Sequence, residues 1–472
     1  ADNNVAVGYL ALTANTTGYR NTAVGASAGD AITTGYQNTY IGYVAGSTQT
    51  TGNNNTGIGY GALYSNTTAG NNTAVGQNAL EANTTGSSNT AAGSNALDAN
   101  TTAVENTAIG RNALGATTTG GYNVAVGSGS LASNVTGVKN VAVGRDALVA
   151  STADHNTAIG YHSLNQDTTG TYNNAVGSQA LWANTTGGYN DAHGRQALYS
   201  NTTGASNVAM GYQAMYSNTT ANNCTAVGYG ALWANTTGLN NTAVGTLALD
   251  SCTTGVTSSA FGYNSLTAMT TGIENTGIGK SSLAACTTGS YNTAVGKDAG
   301  DNISSGNFFV GLGAYAKPAA GTTNNEIAIG YAVTAKRAGT GFINPGGTGS
   351  MYAGNNSASW STTSDRRIKK NITNNTTGLD KINQITVHNF EYKTEDEIKT
   401  DNPELADVVE SAVVNKEGVQ LGVIAQEIES ILPDVVKTES TGVKSVNPDN
   451  LTWYLVNAVK ELSAKVAALE AG

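Results

Sequence analysis

The sequence predicts a mostly β protein: a long β-solenoid built from 17-residue repeats, then a small α+β domain ending in a helix. Three observations carry this. A motif of the type Asn-Thr-Ala-Val-Gly returns with its glycine at 8, 25, 42 and so on to 144, then from 160 to 296, every 17 residues except for one step of 16 between Gly144 and Gly160. Charge is scarce over the repeats and abundant after them: residues 1–363 hold 24 charged side chains and residues 364–472 hold 30. Near the C-terminus Leu455, Val459, Leu462, Val466 and Leu469 follow a 4-3-4-3 spacing, a short coiled-coil seam.

A 17-residue unit is too short for a pair of helices and fits one turn of a solenoid. Thr and Val alternate across Ala, as in Thr225-Ala226-Val227, which is strand patterning. The glycines mark corners that need positive φ, and Asn recurring in register is placed to build amide ladders between turns. Ala-Leu follows three and four residues after the glycine, and Asn-Thr-Thr-Gly begins at the seventh, as in Ala231-Leu232 and Asn235-Thr236-Thr237-Gly238. Many of these Asn-Thr-Thr triplets match the N-glycosylation pattern, but repetition in one slot favours ladder structure. With Val on the inner side, the small apolar Ala would line the outer face and let neighbouring chains approach closely, so an oligomer is expected.

The shaft is expected over 1–300. Residues 301–363 read as degenerate repeats (Asn307–Gly311 and Glu326–Gly330) followed by a Gly/Ser-rich transition, and 364–472 as the separate domain. Cys252 and Cys286 occupy one slot two repeats apart, ~9.6 Å at ~4.8 Å per rung, too far for a disulfide. With Cys224 they read as unpaired fillers. His155, His162, His193 and His388 show no metal-ligand spacing, and His193 reads as a tolerated core replacement of Val. No metal and no cofactor is expected. Tyr43, Tyr60, Tyr161, Tyr212, Tyr229 and Tyr263, each just after a motif glycine, form either a sugar-binding strip or, the favoured reading, packing between rungs. A net charge of −10 argues against nucleic acid as partner, and no stretch of 18 apolar residues predicts membrane insertion as a helix. The chain opens inside a repeat, so an N-terminal segment carrying an attachment module is expected to precede it.

Two resemblances extend this reading. The repeats resemble the β-roll heads of trimeric autotransporter adhesins, although their unit is longer than usual there. The last domain resembles the intramolecular chaperone domain of endosialidases and other phage tail fibres and appendages. That likeness rests on Ser364-Asp365-Arg366-Arg367-Ile368-Lys369-Lys370-Asn371-Ile372, on Gly422–Glu429 with Leu432-Pro433-Asp434-Val435-Val436, and on the terminal helix from Leu451 to Leu469. It implies a homotrimer, a trimeric β-roll followed by a chaperone domain, although Val at a with Leu at d would alone lean toward two strands. Leu451, Trp453 and Tyr454 are expected to pack the helix onto the domain.

The chaperone resemblance also implies self-cleavage between Thr363 and Ser364, with Ser364 as nucleophile and Lys369 as base. A lysine can act so only if its pKa is lowered, and Arg366, Arg367 and Lys370 supply positive surroundings. Asp365 either orients the loop or balances that charge. Gln426 and Glu427 belong either to the active site or, as favoured, to the residues that determine the fold. The implied protein is a virion tail fibre or appendage that attaches to a receptor on the host surface, a glycan being one class. It would also contact other virion tail proteins. The alternatives are a bacterial trimeric surface adhesin, which would need a C-terminal membrane barrel, and a structural filament that keeps its trimerisation domain. A glycosidase is disfavoured because Glu81, Glu105, Asp154 and Asp167 are isolated from one another.

Overall fold

The structure is a computed structural model that describes residues 2–344, 351–354, 366–405, 418–438 and 442–471. The chain divides into two compact units, Ala1–Thr363 and Ser364–Gly472. In the first, twenty three-residue strands from β1 (Val5–Val7) to β20 (Ile327–Ile329) pair in parallel, each with the same position one repeat away. Twenty rungs at ~4.8 Å make this unit roughly 95 Å long. The ladder continues past residue 300. Its nineteenth corner is Gly313 rather than Gly311, because Gly311 occupies the Ala position of β19 (Val310–Leu312). It ends with β21 (Thr340–Ile343) parallel to β20 and β22 (Met351–Gly354) antiparallel to β21. The 16-residue step is absorbed outside the strands, so Val141–Val143 still pairs with Thr157–Ile159.

The inside and outside of the strands are the reverse of the sequence expectation. The central Ala of each strand, such as Ala74, Ala125 and Ala226, is fully buried, whereas the flanking Thr and Val or Ile face outward and are half-buried or exposed. The reason is width. A 17-residue coil encloses a narrow core, and the Leu residues sent in from the turns (Leu80, Leu131, Leu232) already fill it, so the strands can add only a methyl group. His193 therefore sits on the outer side of β12 (Asp191–His193), half exposed, and is no core replacement.

Two buried columns of Asn run along the coil. In one, Asn38 donates its backbone N–H to Asn21 Oδ1 (3.0 Å) and its amide to Gly52 O (2.9 Å); Asn55 repeats the pattern on Asn38. In the other, Asn201 donates to Asn184 Oδ1 (2.8 Å) and Asn218 to Asn201 Oδ1 (2.8 Å). These amides satisfy backbone groups that a strand of three residues leaves unpaired. Because the ladder Asn residues are buried, the Asn-Thr-Thr triplets they begin are not available as glycosylation acceptors.

Each coil also needs several left-handed residues. The corner glycine has φ near +137°, as at Gly59 and Gly245, and a Cβ there would lie 2.4–2.5 Å from the next rung's carbonyl oxygen. Three further positions per turn are left-handed and mostly not glycine: Lys139, Asp146 and Leu148 show φ of 58°, 53° and 52°. Such residues cost roughly 1–2 kcal/mol each. The hydrogen bonds between rungs, for instance Asp146 N–H to Ser128 O at 3.0 Å, hold them there.

The three cysteines are free and buried in this core. Burial pushes the Cys252 and Cys286 thiols up to about 12 and about 11, which keeps them protonated and unreactive.

Candidate functional site

The second unit is small. Its core is Ile428, Leu432, Val435 and Tyr454, with Ile382, Ile385, Val423, Val446 and Leu451 packed against them. These come from α1 (Leu379–Ile382) and its following turn, α3 (Ala425–Ile431) with the residues that flank it, the Pro433–Val435 turn, β26 (Lys444–Val446) and α4 (Pro448–Glu470). Two hairpin pairs complete it. β23 (His388–Phe390) runs antiparallel to β24 (Gln420–Gly422), and β25 (Val436–Thr438) antiparallel to β26. α2 (Glu395–Asp401) starts with a capping box between Thr394 and Glu397.

The Leu432-Pro433-Asp434-Val435-Val436 block is the hub of this core. Leu432 and Val435 are buried, and Asp434 accepts a 2.7 Å hydrogen bond from Tyr454 Oη. Asn450 Nδ2 donates to Asp434 O at 3.1 Å. α4 begins at Pro448 with Asn447 as its cap. Further along, α4 grips the segment that follows the basic motif: Asn457 Nδ2 reaches Asn375 O and Thr377 O at 3.0 and 3.2 Å, and Glu461 Oε2 accepts from Leu379 N–H at 3.1 Å. Tyr454 and Leu451 anchor the helix as expected. Trp453 does not; it is 66% exposed.

Thr363, Ser364 and Asp365 lie outside the described residues. Immediately after them, Arg366–Ile368 forms a 3₁₀ turn closed by Lys369 N–H to Arg366 O at 3.2 Å, and Arg366, Arg367, Lys369 and Lys370 are all exposed. The expected supporting pair lies on α3. Glu427 Oε2 lies 2.8 Å from His388 Nε2, tying α3 to β23. At that exposure the pair contributes at most about 1 kcal/mol. Gln426 lines a cleft of ≈ 950 Å³ together with Phe390, Tyr392, Ile398, Val423 and Val446. Both residues are exposed on α3.

Residues 364–437 match the family described as chaperone of endosialidase. The matched span of this chaperone domain contains both the basic motif and the Gly422–Val436 blocks, while α4 lies beyond it. No curated protein and no solved structure matches the chain. The matched residues begin at Ser364, which is also the first residue of the second compact unit.

On the shaft, the Tyr positions after the motif glycine stack only in part. Tyr43 lies on Tyr60 at 5.7 Å and Tyr212 on Tyr229 at 5.6 Å. A longer column stands five residues after the glycine and was missed in the sequence: Trp182, Tyr199, Tyr216 and Trp233, with centroids 5.2, 5.0 and 5.7 Å apart and rings within 7° of parallel. Its signal was the 17-residue spacing of aromatics, legible in principle. The faces of the two inner rings are taken up by their neighbours, so that stretch of the column offers edges rather than the flat platform that a sugar ring stacks on. Among the described residues no group of three His, Cys, Asp or Glu is arranged to hold a metal. No described helix is long and apolar enough to cross a membrane.

Proposed function

We propose that the chain is a homotrimeric virion tail fibre or appendage whose shaft meets a host-surface receptor. Its chaperone domain assembles the trimer and then releases itself between Thr363 and Ser364. The observation that carries this reading is the coincidence at Ser364: a chaperone-family match starts there, directly behind a twenty-rung array. Every rung resembles its neighbours, so slipped pairings between chains are nearly equal in energy. A domain that gathers the C-termini first removes that ambiguity.

Two surfaces support association of copies. On α4, Leu455, Val459, Leu462, Val466 and Leu469 are 45–82% exposed along one stripe, the pattern of a coiled-coil seam without its partner. On the shaft, the outward Val and Ile row runs the length of the ladder, with Ile41, Val75, Ile109, Ile159, Phe261 and Ile278 each 39–43% exposed. Such a contiguous exposed apolar row is the kind of surface that marks an interaction site.

For release, Ser364 Oγ attacks the Thr363 carbonyl carbon while Lys369 takes its proton. The C–N bond breaks as the Thr363 ester forms, and the Ser364 nitrogen takes up a proton to become a free amine. Water then cleaves the ester, leaving a Thr363 carboxylate and a 109-residue fragment that begins at Ser364. Release makes folding one-way, since the shaft loses its template. Refolding tests this. After full denaturation, Ser364→Ala protein should regain its trimeric mass and native protein should not; equal recovery of both overturns the chaperone role.

A further inference from the structure

The outward face of the twenty strands carries one exception to its chemistry. At forty outward positions the residues are Thr, Val, Ile and their like, and the only titratable ones are Asp191 and His193, both on β12. They form one cluster with Asn174 of the preceding strand. His193 Nε2 lies 2.8 Å from Asp191 Oδ1, Asn174 Nδ2 donates to Asp191 Oδ1 at 2.9 Å, and Asn174 Nδ2 is 3.0 Å from His193 Nε2. The strand before offers Val176 opposite His193, and the strand after offers Val208 and Met210 opposite Asp191 and His193. The cluster therefore spans both outward rows, with Asn174 and Asp191 in the mostly Thr row and His193 in the Val and Ile row, and is the one place where that face carries ionisable groups.

We infer that Asn174, Asp191 and His193 set the register between copies of this chain along the shaft. This rests on the homotrimeric reading above, with a second copy as the occupant of the outward row. The row's exposure argues for that occupant, and its run along all twenty rungs, interrupted in charge only at β12, fits a partner of equal length and the same repeat. A parallel copy of the chain has both.

In register, each cluster meets the cluster of the next copy, where carboxylate, imidazole and amide can hydrogen-bond across the seam. One rung out of register in one direction, Asp191 would face Val208 and His193 would face Met210; in the other direction Asp191 would meet Asn174 but His193 would face Val176, so either slip leaves at least one of the two without a polar partner. Buried polar groups left so cost far more than the nearly uniform Val and Thr contacts differ among themselves. A single polar position in the apolar seam of a coiled coil fixes register by the same balance. The tail domain aligns the C-termini during assembly, and the cluster would hold the alignment in the shaft once the tail has gone.

The test uses full-length chains bearing two different affinity tags. One is native. In the other the cluster is moved three rungs: Asn174→Thr, Asp191→Thr and His193→Val, with Thr225→Asn, Thr242→Asp and Val244→His. Each chain expressed alone is first weighed by light scattering. Co-expressed, the two are expected to sort into separate oligomers, with mixed species at least tenfold rarer than when two differently tagged native chains are paired. Random mixing between chains that are each oligomeric overturns the register role and leaves the trimer standing. A native chain that weighs as a monomer overturns both. If the moved chain alone fails to assemble, the triple replacement at 174, 191 and 193 without relocation serves instead. Mixed with native chains it must also be depleted from heteromers, and random mixing again overturns the inference.

Discussion

Tyr40 lies where Gly46 has no side chain: a Cβ on Gly46 would come within 2.4 Å of the Tyr40 ring. Tyr40 stands in the buried Ala position of its strand, and three neighbouring core positions have shrunk around it. Gly29 and Gly46 replace Leu, and Gly57 replaces Ala; a Cβ at Gly57 would meet the same ring at 2.9 Å. The phenol is buried and donates to Gln49 Oε1 at 2.7 Å. Total core volume is conserved across rungs while its source moves from turn to strand.

Tyr40→Ala should therefore destabilise the shaft by about 3–5 kcal/mol, the cost of an aromatic-sized cavity. Adding Gly46→Leu, which restores the usual pairing, should recover a large part of that loss. Denaturant unfolding of the single and double variants checks both.

Asp167 stands in an Asn ladder, fully buried, accepting from Asn184 Nδ2 at 2.8 Å and from Ser151 Oγ at 3.0 Å. Burial raises its carboxyl to about 7. A carboxyl that keeps its proton longer when folded binds more protons than the unfolded chain between pH ~4 and ~7, so stability falls as pH rises through that window and levels off above it. The loss is on the order of 4 kcal/mol at most. Asp167→Asn should abolish the dependence and raise stability at pH 8, read from melting temperatures at pH 5 and 8.

The two glycine corners of a coil should respond differently to Ala. Gly228 has φ +134° and a Cβ there would sit 2.6 Å from Gly245 O. Gly204 is equally crowded, 2.5 Å from Ala221 O, but lacks positive φ, and its slot already holds Ala at 69, 103, 153 and 221. Gly228→Ala should cost at least 2 kcal/mol and Gly204→Ala less than about 1 kcal/mol, compared by thermal unfolding.

Tyr454→Phe removes the hydroxyl that binds Asp434, an exposed carboxylate to which water has access. The tail unit should lose about 0.5–1.5 kcal/mol while the shaft is unaffected. Hydrogen exchange resolves the two units.

The sequence made the coil and its 16-residue step legible because both are questions of period. It misled on direction: hydrophobicity ranks Val above Ala, whereas the enclosed width decides which of them goes in. The left-handed Leu positions, such as Leu63 and Leu80, left no sign, since Leu is not a residue that marks positive φ. In the tail, Leu432 and Val435 were legible only through a family pattern, and Trp453 misled because an aromatic beside a buried Tyr looks like an anchor. The His388–Glu427 pair joins residues 39 apart with no periodic signal, so only the fold brings it to light.

Intact mass under denaturing conditions shows whether the tail domain cuts itself free. Native protein should yield a 109-residue fragment beginning at Ser364 and a shaft ending at Thr363, while Ser364→Ala protein remains at full length. A single full-length mass from both would mean that the domain does not cut the bond between Thr363 and Ser364.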